Sequence, residues 1–350
     1  MDSIQFALAL SLIPGIGPVR ARSILEHFSD DQTWLANPGP MVPSLSEWDR
    51  HVQEAARILD KQEQSGIQSL LFTHALYPQR LLHIPDAPCL LFVKGVAHFQ
   101  LAQTLAVVGT RDATAYGIQI TEQWVAALAQ YGCGIVSGLA RGIDRSAHQA
   151  ALRAGLPTWA VLAHGLHAVH PSNNRHLAED ILAQGGAWVS EWPHGVAPQM
   201  GAYPRRNRLI AGMSDGLWIV EAAIKSGAGI SAQFAHQYDR SVFALPGRLS
   251  DVRSHGCLDL IRRNVAQIVT DPSQIGDDLG WDRLHPVDIP MEDMGSEDQQ
   301  KVRNALKPGP LRISAIEAAT GLSAAICLAA IAELMWVGAI RAQHGYYALA

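Results

Sequence analysis

The sequence predicts an α/β protein: a doubly wound, mainly parallel β-sheet flanked by a small all-helical domain and a winged-helix domain. Seven short apolar runs between residues 104 and 270 alternate with helix-length segments, which is typical of parallel strands buried on both faces. The chain has 350 residues, of which 48% are hydrophobic. This is enough for one large core and smaller modules.

The sheet domain is expected to span residues 66–275. An apolar run at residues 89–93 is a candidate for a further strand that leads into it. The seven predicted strands are the runs at residues 105–108, 134–137, 159–163, 188–190, 217–220, 242–245 and 268–270.

The N-terminal domain, residues 1–65, begins with two predicted short helices joined by the turn Pro-Gly-Ile-Gly-Pro at residues 14–18. This resembles a helix-hairpin-helix or SAM-like module, in which backbone N–H groups of the turn approach a phosphate. The alternative to phosphate contact is a purely structural role for this hairpin. The apolar stretch at residues 6–13 has no basic residue before it, so we expect neither a signal peptide nor a membrane span, and a cytoplasmic location.

The C-terminal part is predicted to be an acidic linker at residues 276–296 and a winged-helix domain at residues 297–350. The predicted third helix has no Arg, Lys, Asn or Gln before its end, so it lacks the side chains that read base edges. A role in protein contact or packing is therefore favoured over DNA reading. The expected elements are helices at residues 297–306, 313–319 and 323–337, with Ser323 as N-cap, and a hairpin at residues 339–349.

The net charge of −5 is unevenly distributed along the chain. Nine of the 32 acidic residues fall between residues 271 and 300, so the rest of the chain is slightly basic. Most of the basic residues are arginines, whose guanidinium groups suit bidentate phosphate contacts and stacking on bases. The net charge therefore does not argue against an anionic polymer as a partner. An arginine-rich genome is the alternative explanation for the high arginine content.

Four segments near the ends of the predicted strands are rich in glycine, hydroxyl residues and arginine. Ligands of open α/β sheets bind at the carboxyl ends of the strands, where helix N-termini present N–H donors to anions. Solvated arginines are the alternative for the run at 205–208. The predicted phosphate-binding residues of these segments are Gly109, Thr110, Arg111, Thr114, Ser137, Gly138, Arg141, Gly142, Arg205, Arg206, Asn207, Arg208, Lys225, Ser226, Gly227 and Ser231.

Matches to nucleotide-binding and catalytic motifs are weak. Residues 227–232 fit G-x-G-x-x-A, but they follow the fifth strand rather than the first, and the sequence has no P-loop. Ser137, Asp144 and His148 lack the nucleophile elbow of a catalytic triad. We interpret Asp144 as an acceptor that orients Arg141 or a loop N–H group.

The four cysteines lie far apart, without a Cys-x-x-Cys pair, and are expected to be buried small hydrophobic residues. The histidines at 164, 167, 170 and 176 lack the spacing of a hydrolytic zinc site. We therefore predict no catalytic residue, no metal ligand and no cofactor.

Several strings of residues, in this order and spacing, resemble the DprA/Smf family of DNA-processing proteins. The most specific string is Ser-Gly-Leu-Ala-Arg-Gly-Ile-Asp at residues 137–144, and others are Gly-Thr-Arg at 109–111 and Arg-Asn-Arg at 206–208. The resemblance implies a Rossmann-like domain that forms homodimers, binds single-stranded DNA in a basic pocket and hands the strand to RecA during natural transformation. It implies a binding protein rather than an enzyme.

The resemblance assigns DNA contact to Arg111 and to the arginines at 205, 206 and 208. Tyr203, just before them, is a candidate stacking platform for bases, with ordinary loop packing as the alternative. The chain departs from the usual family pattern at His167, His170, Leu258 and Asn264. These departures affect the detail of the pocket and of the surface at residues 250–265.

Two other functions are compatible with parts of the sequence. The first is a nucleotide-phosphate hydrolase of the lysine-decarboxylase-like fold, but Phe234 stands where that motif has its catalytic glutamate. The second is a regulator that binds duplex DNA, which the two flanking modules suggest and the apolar third helix disfavours.

Overall fold

The protein is described by a computed structural model that falls into two compact units, Met1–Leu284 and His285–Ala350. Each unit is described by itself. The structure describes residues 1–27, 47–284, 296–307, 309–336, 340–343 and 346–349.

The N-terminal segment forms the predicted pair of short helices and a third, longer one: α1 (Ser3–Leu12), α2 (Pro18–His27) and α3 (Trp48–Gln64). Helix α1 is capped by Asp2, whose carboxylate accepts a hydrogen bond of 2.7 Å from the Gln5 amide. The buried side chains of these helices join one hydrophobic cluster with residues of the sheet domain. Because of this shared core, the N-terminal helices and the sheet belong to the same compact unit, which ends at Leu284.

The central sheet of the described chain has nine strands in the order β1-β2-β6-β5-β4-β3-β7-β8-β9. Strands β1 and β2 pair antiparallel, β2 and β6 also pair antiparallel, and all other pairs are parallel. The predicted mainly parallel, doubly wound sheet is therefore confirmed. The strands are β1 (Ile67–Leu71), β2 (Leu90–Gly95), β3 (Thr104–Val108), β4 (Gly134–Ser137), β5 (Thr158–Val161), β6 (Ala187–Ser190), β7 (Gly216–Ile219), β8 (Ser241–Ala244) and β9 (Gln267–Ile268).

Both faces of the sheet are buried under helices. Along β3, Leu105 and Val107 lie in one hydrophobic cluster, while Ala106 and Val108 lie in the cluster on the opposite face. This explains why the sequence shows continuous apolar runs instead of alternation. The helices of the first unit after α3 are α4 (Gln79–Leu82), α5 (Ala115–Ala127), α6 (Ile143–Arg153), α7 (Arg175–Ala183), α8 (Ala202–Gly212), α9 (Gly227–Gln237), α10 (His255–Arg262) and α11 (Pro272–Asp278).

The strand order reverses between β3 and β7. From β3 the chain proceeds through β4, β5 and β6 on one side, and then returns to β7 on the other side. The loops that follow β3 and β7 therefore leave the sheet in opposite directions and open a crevice at its carboxyl edge.

The predicted linker begins too early. Residues 276–278 end helix α11, and Trp281 packs edge-on against Tyr131 with ring centroids 5.9 Å apart. Gly276 lies so close to Tyr131 that an added Cβ would be 2.3 Å from the ring. Packing therefore holds residues 276–284 in the first unit. Of the remaining linker residues, 285–295 lie outside the described residues and Ser296 caps the next helix.

The second unit contains the predicted three helices and a hairpin. Helix α12 begins with a capping box between Ser296 and Gln299. The hairpin strands pair antiparallel, and Tyr347 also bridges to Leu311 before the second helix. The winged-helix assignment stays a prediction. The elements are α12 (Glu297–Leu306), α13 (Ile313–Thr320), α14 (Ala324–Trp336), β10 (Ile340–Gln343) and β11 (Tyr346–Leu349).

Within the described ranges, no single helix has the length and apolar character needed to cross a membrane. Residues 313–320 and 324–334 meet that criterion only when taken together, and they are bent by 108°.

Candidate functional site

Two adjacent pockets lie at the carboxyl edge of the sheet. The switch-point pocket has a volume of about 370 Å³ and is lined by residues 109–111 after β3, by one side of α8 and by the start of α9. The lateral pocket has a volume of about 360 Å³ and is lined by Gly138, Arg141 and the loop at residues 170–173. The lining residues common to both are Arg111, Ala140, Tyr203 and Arg206.

An arginine and a tyrosine stand at the border between the two pockets. Arg111 is exposed, and its guanidinium carbon lies 5.1 Å from the centre of the half-buried Tyr203 ring. Such a pair places a fixed positive charge beside an aromatic face. The border can therefore hold a phosphate next to a stacked base.

Arg206 is buried behind this border. Its Nη1 group donates to the carbonyls of Gly138 at 2.6 Å and Val161 at 2.5 Å, and its Nε donates to Asn207 Oδ1 at 3.2 Å. A Cβ on Gly138 would lie 2.1 Å from Arg206 Nη1, so this approach requires glycine. Nη2 makes no hydrogen bond to a described residue, while the side chain lines both pockets.

Asp144 holds the loop after β4. Its carboxylate accepts hydrogen bonds from the amides of Gly138 at 3.2 Å and Ala140 at 3.4 Å. Burial raises the pKa of Asp144, and the Arg206 guanidinium is the largest opposing influence. The expectation that Asp144 orients loop N–H groups is confirmed.

The N-terminus of α9 forms the opposite wall of the switch-point pocket. Ser226 caps the helix by accepting from the Gly229 amide, and Asn207 donates to the Gly227 carbonyl at 3.1 Å. Ser231 also donates to that carbonyl, at 3.5 Å. The N–H groups of a first helical turn have no intrahelical partners, so this wall presents donors to an anion.

Arg208, a predicted site residue, is placed elsewhere by the structure. It is 4% exposed, its Nη2 pairs with the Glu191 carboxylate and its Nη1 donates to the Asp86 carbonyl at 2.7 Å. Arg205 also lies outside the two pockets, with its guanidinium carbon 5.6 Å from the centre of the Trp192 ring. The assignment of Arg208 to the phosphate site is therefore wrong, because its donors are used inside the protein.

Four other predicted residues do not line the pockets, and three of them support the loops instead. Ser137 is fully buried and donates to the Val107 carbonyl at 2.7 Å. Thr114 caps α5 and bonds to Glu221. Exposed Lys225 lies just outside the pocket.

Gly142 is the third residue that supports the loops. Its φ is +75°, and a Cβ there would lie 2.2 Å from the Thr110 carbonyl oxygen. Only glycine allows the loops after β3 and β4 to approach this closely. Gly142 therefore shapes the pockets without offering a side chain to a ligand.

The loop after β5 forms a further wall, although none of its residues is among the predicted phosphate-binding residues. His170 and Asn173 line the lateral pocket, and the neighbouring Asn174 donates to the carbonyls of Leu139 at 2.8 Å and Ala140 at 3.2 Å. This loop has no glycine or arginine cluster, and the strand order brings it to the site.

A catalytic triad is not formed by Ser137, Asp144 and His148. His148 Nδ1 lies 2.7 Å from Thr158 Oγ1, while the serine and aspartate bond to backbone groups as described above. Each of these side chains is engaged in holding the loops and strands together.

His148 gives the fold a predictable dependence on pH. Burial lowers the pKa of His148 from 6.5 to about 3, so below pH 6.5 the unfolded chain binds a proton that the folded chain does not. Stability is therefore lost as pH falls from about 6.5 towards 3, and the loss from this residue reaches about 2 kcal/mol at pH 5. Urea unfolding at pH 7 and pH 5 measures it.

The variant His148→Gln is expected to lose less stability than the intact chain between these two pH values. His176→Gln is the matched control, because the His176 side chain is 96% exposed. An equal loss in the intact chain and in His148→Gln would contradict the assignment.

The remaining cysteine and histidine predictions can be compared with the structure. All four cysteines are free and buried, as predicted, and burial raises the pKa of Cys89, Cys133 and Cys257 to about 12. Within the described ranges, no group of three or more His, Cys, Asp or Glu side chains is arranged to hold a metal ion.

Two of the departures from the usual family pattern have a local structural explanation. Asn264 has a φ of +55°, and asparagine tolerates this left-handed conformation better than other residues except glycine. His167 Nδ1 accepts a hydrogen bond of 3.2 Å from the Gly195 amide. Both residues therefore stabilise turns.

The sheet order and the pockets at its edge define a Rossmann-like protein with a ligand crevice at the topological switch point. Residues 68–280, more than half of the chain, match the model of the family described as DNA recombination-mediator protein A. The chain belongs to this family.

Known proteins resemble the chain over most of its length. Protein Smf of Escherichia coli K12 is 43% identical over 300 residues, which cover 81% of this chain and 80% of the relative. Protein Smf of Synechocystis is 35% identical over 306 residues, covering 83% of this chain and 75% of the relative.

Two solved structures share the fold at 30% sequence identity. The crystal structure of DNA processing protein A from Streptococcus pneumoniae superposes with a TM-score of 0.69, covering 79% of this chain and 98% of that one. The second is DNA processing protein A from Helicobacter pylori, solved for its single-stranded DNA binding mode. It superposes with a TM-score of 0.56, covering 62% of this chain and 97% of that one.

Proposed function

We propose that this chain binds single-stranded DNA in the switch-point and lateral pockets, protects it, and loads RecA onto it in natural transformation and recombination. The observation that carries the proposal is the pairing of exposed Arg111 with the Tyr203 ring at the border of both pockets. Charge and an aromatic face in one place suit a flexible strand, whose bases are unpaired.

The binding mode follows from the groups that face the pockets. Arg111 and Arg141 are exposed cations that pair with phosphates, and the first N–H groups of α9 add neutral donors. Tyr203 stacks on a base, a contact worth about 1–3 kcal/mol whatever the base. Binding in these two pockets is therefore independent of sequence, and the bases held there keep their edges free for the recombinase.

The relatives support the same function. The chain belongs to the family of DNA recombination-mediator protein A, and its relative from Helicobacter pylori has a described single-stranded DNA binding mode. Action as a binding protein instead of an enzyme, a homodimer formed through the Rossmann-like domain, transfer to RecA and a cytoplasmic location are parts of the proposal that rest on the family resemblance.

The two alternative functions receive less support. A hydrolase would need a carboxylate where Phe234 stands, and that ring packs against Tyr238 with centroids 5.9 Å apart. A regulator that binds duplex DNA would need polar side chains on α14, which instead exposes Ile326 and Leu328. Both observations therefore argue against the alternatives, and single-strand binding remains the proposed function.

The function is tested by fluorescence anisotropy with the full chain and a labelled oligonucleotide, single-stranded or annealed to its complement. We expect clear preference for the single strand. In a second assay, RecA is mixed with single-stranded DNA that is coated by a single-strand-binding protein, and the lag before ATP hydrolysis is expected to shorten when the chain is added. Preference for duplex DNA would contradict strand binding, and an unchanged lag would contradict RecA loading.

A further inference from the structure

A large cavity of the first unit lies beneath the N-terminal hairpin. This hairpin cavity has a volume of about 570 Å³, within the range of sites that enclose small organic ligands. Its walls are the turn at residues 12–18, the start of β2 and the segment at residues 191–196, with Arg205 at one side. The lining is mainly apolar and includes prolines and aromatic rings, which suits a flat ring system.

Two side chains of the cavity are suited to bind a nucleobase and its phosphate. Trp192 is half-buried, and Arg205 lies over its ring while its side chain keeps 58% of its exposure. An indole face stacks on any base, and a guanidinium at its edge pairs with a phosphate or stacks in turn.

The third group of the cavity is a carboxylate, Glu191, with one oxygen that has no donor among the described residues. The Glu191 side chain is 5% exposed, and its Oε2 pairs with Arg208, but its Oε1 accepts no hydrogen bond from a described residue. Arg205 Nη2 lies 3.8 Å from Oε1. A buried carboxylate oxygen without a donor is costly, and a ligand with an N–H group would satisfy it once Arg205 turns towards a phosphate.

The hairpin cavity continues the line of pockets described above. A groove of about 350 Å³ between them shares Gly17, Pro18 and Arg205 with the hairpin cavity, and it shares Pro204 with the switch-point pocket. The cavities therefore follow one another around the N-terminal end of α8. A strand that leaves the switch-point pocket past Pro204 meets Arg205 next.

We propose that the hairpin cavity is a second nucleobase subsite for the same single strand. Trp192 stacks on the base, Arg205 binds the adjacent phosphate, and Glu191 Oε1 accepts from an amino group on the base. The subsite rests on the proposed function, because it needs a strand already held in the switch-point pocket.

The test is anisotropy with the full chain and oligonucleotides of about 4 to 16 nucleotides. For oligonucleotides long enough to reach the cavity, Trp192→Leu is expected to weaken binding about tenfold, as loss of one stacked base does. The shortest ones, which fill only the switch-point and lateral pockets, are expected to bind the variant and the intact chain equally. Arg205→Ala should show the same dependence on length and flatten the salt dependence.

Base contact is tested with long oligonucleotides in which either terminal half lacks bases. Removal of the bases from the half that reaches the cavity should weaken the intact chain about as much as Trp192→Leu does, and should have no further effect in that variant. Cytosine in that half should bind more tightly than thymine, since its N4 amino group can donate to Glu191.

Trp281→Leu and Arg153→Ala are the matched controls, because both side chains lie outside these cavities and Arg153 is 61% exposed. Equal binding of Trp192→Leu and the intact chain at every length would overturn the subsite and leave the proposed function standing. Equal binding of cytosine and thymine would remove Glu191 from it. Failure of the intact chain to bind any single strand would overturn both proposals.

Discussion

Replacing Arg111 and Arg141 together by alanine is expected to remove most binding of single-stranded DNA and to flatten its dependence on salt. Both side chains are exposed at the pockets, so their loss removes phosphate contacts without leaving a buried partner. Each single-strand phosphate contact contributes about 0.7 to the slope of log K against log salt concentration, so the slope should fall by about 1.4. Affinity is measured by anisotropy at several salt concentrations.

The matched control is the double variant Arg153→Ala, Arg175→Ala. These arginines are also exposed, at 61% and 73%, and lie on α6 and α7, and neither lines the two pockets. The control should keep the slope of the intact chain. If the two double variants weaken binding equally, attraction to the whole surface explains binding and the pockets do not.

Replacing Arg208 by alanine is expected to destabilise the protein by about 3–5 kcal/mol, because it leaves buried Glu191 without its cation. Both side chains of this pair are 5% exposed. The free energy of unfolding is measured by urea denaturation. Arg205→Ala, three positions earlier in the same helix and largely exposed, should change it by no more than about 0.5 kcal/mol.

Adding Glu191→Leu to Arg208→Ala should recover part of the lost stability, because the unpaired charge disappears. If Arg208→Ala instead unfolds like the intact chain and loses DNA binding, Arg208 belongs to the site after all. This comparison separates a structural arginine from a binding arginine within four residues of sequence.

The strands were predictable because their burial is a local pattern. Every predicted apolar run forms a strand, whereas β1 was missed because it is an edge strand in which only Ile67 and Leu70 are buried. The linker was predicted to begin at residue 276 because its composition is acidic. Trp281 and the close approach of Gly276 to Tyr131 decide the true boundary, and neither contact is visible along the sequence.

The sequence predicted where the site lies but not which side chains form it. The sequence placed glycine-rich and arginine-rich loops at the carboxyl edge, and the structure brings Arg111, Arg141, Tyr203 and Arg206 together there. The loop after β5 was related to the pocket only through the family pattern at His167 and His170, and the structure shows that His170 and Asn173 line the lateral pocket.

By itself, the sequence determined the doubly wound sheet, the edge that carries the site and the family resemblance. Each of these follows from local features, namely apolar runs and the composition of the loops. Only the tertiary structure decided the fate of each arginine in the run at 205–208. Successive residues of a helix point about 100° apart, so these arginines meet different surroundings. Arg208 meets the carbonyl of Asp86, 122 positions away, and Arg206 meets that of Gly138, 68 positions away. Partners this distant in sequence are chosen by the packing of α8 on the sheet, and they fix which charges remain for a ligand.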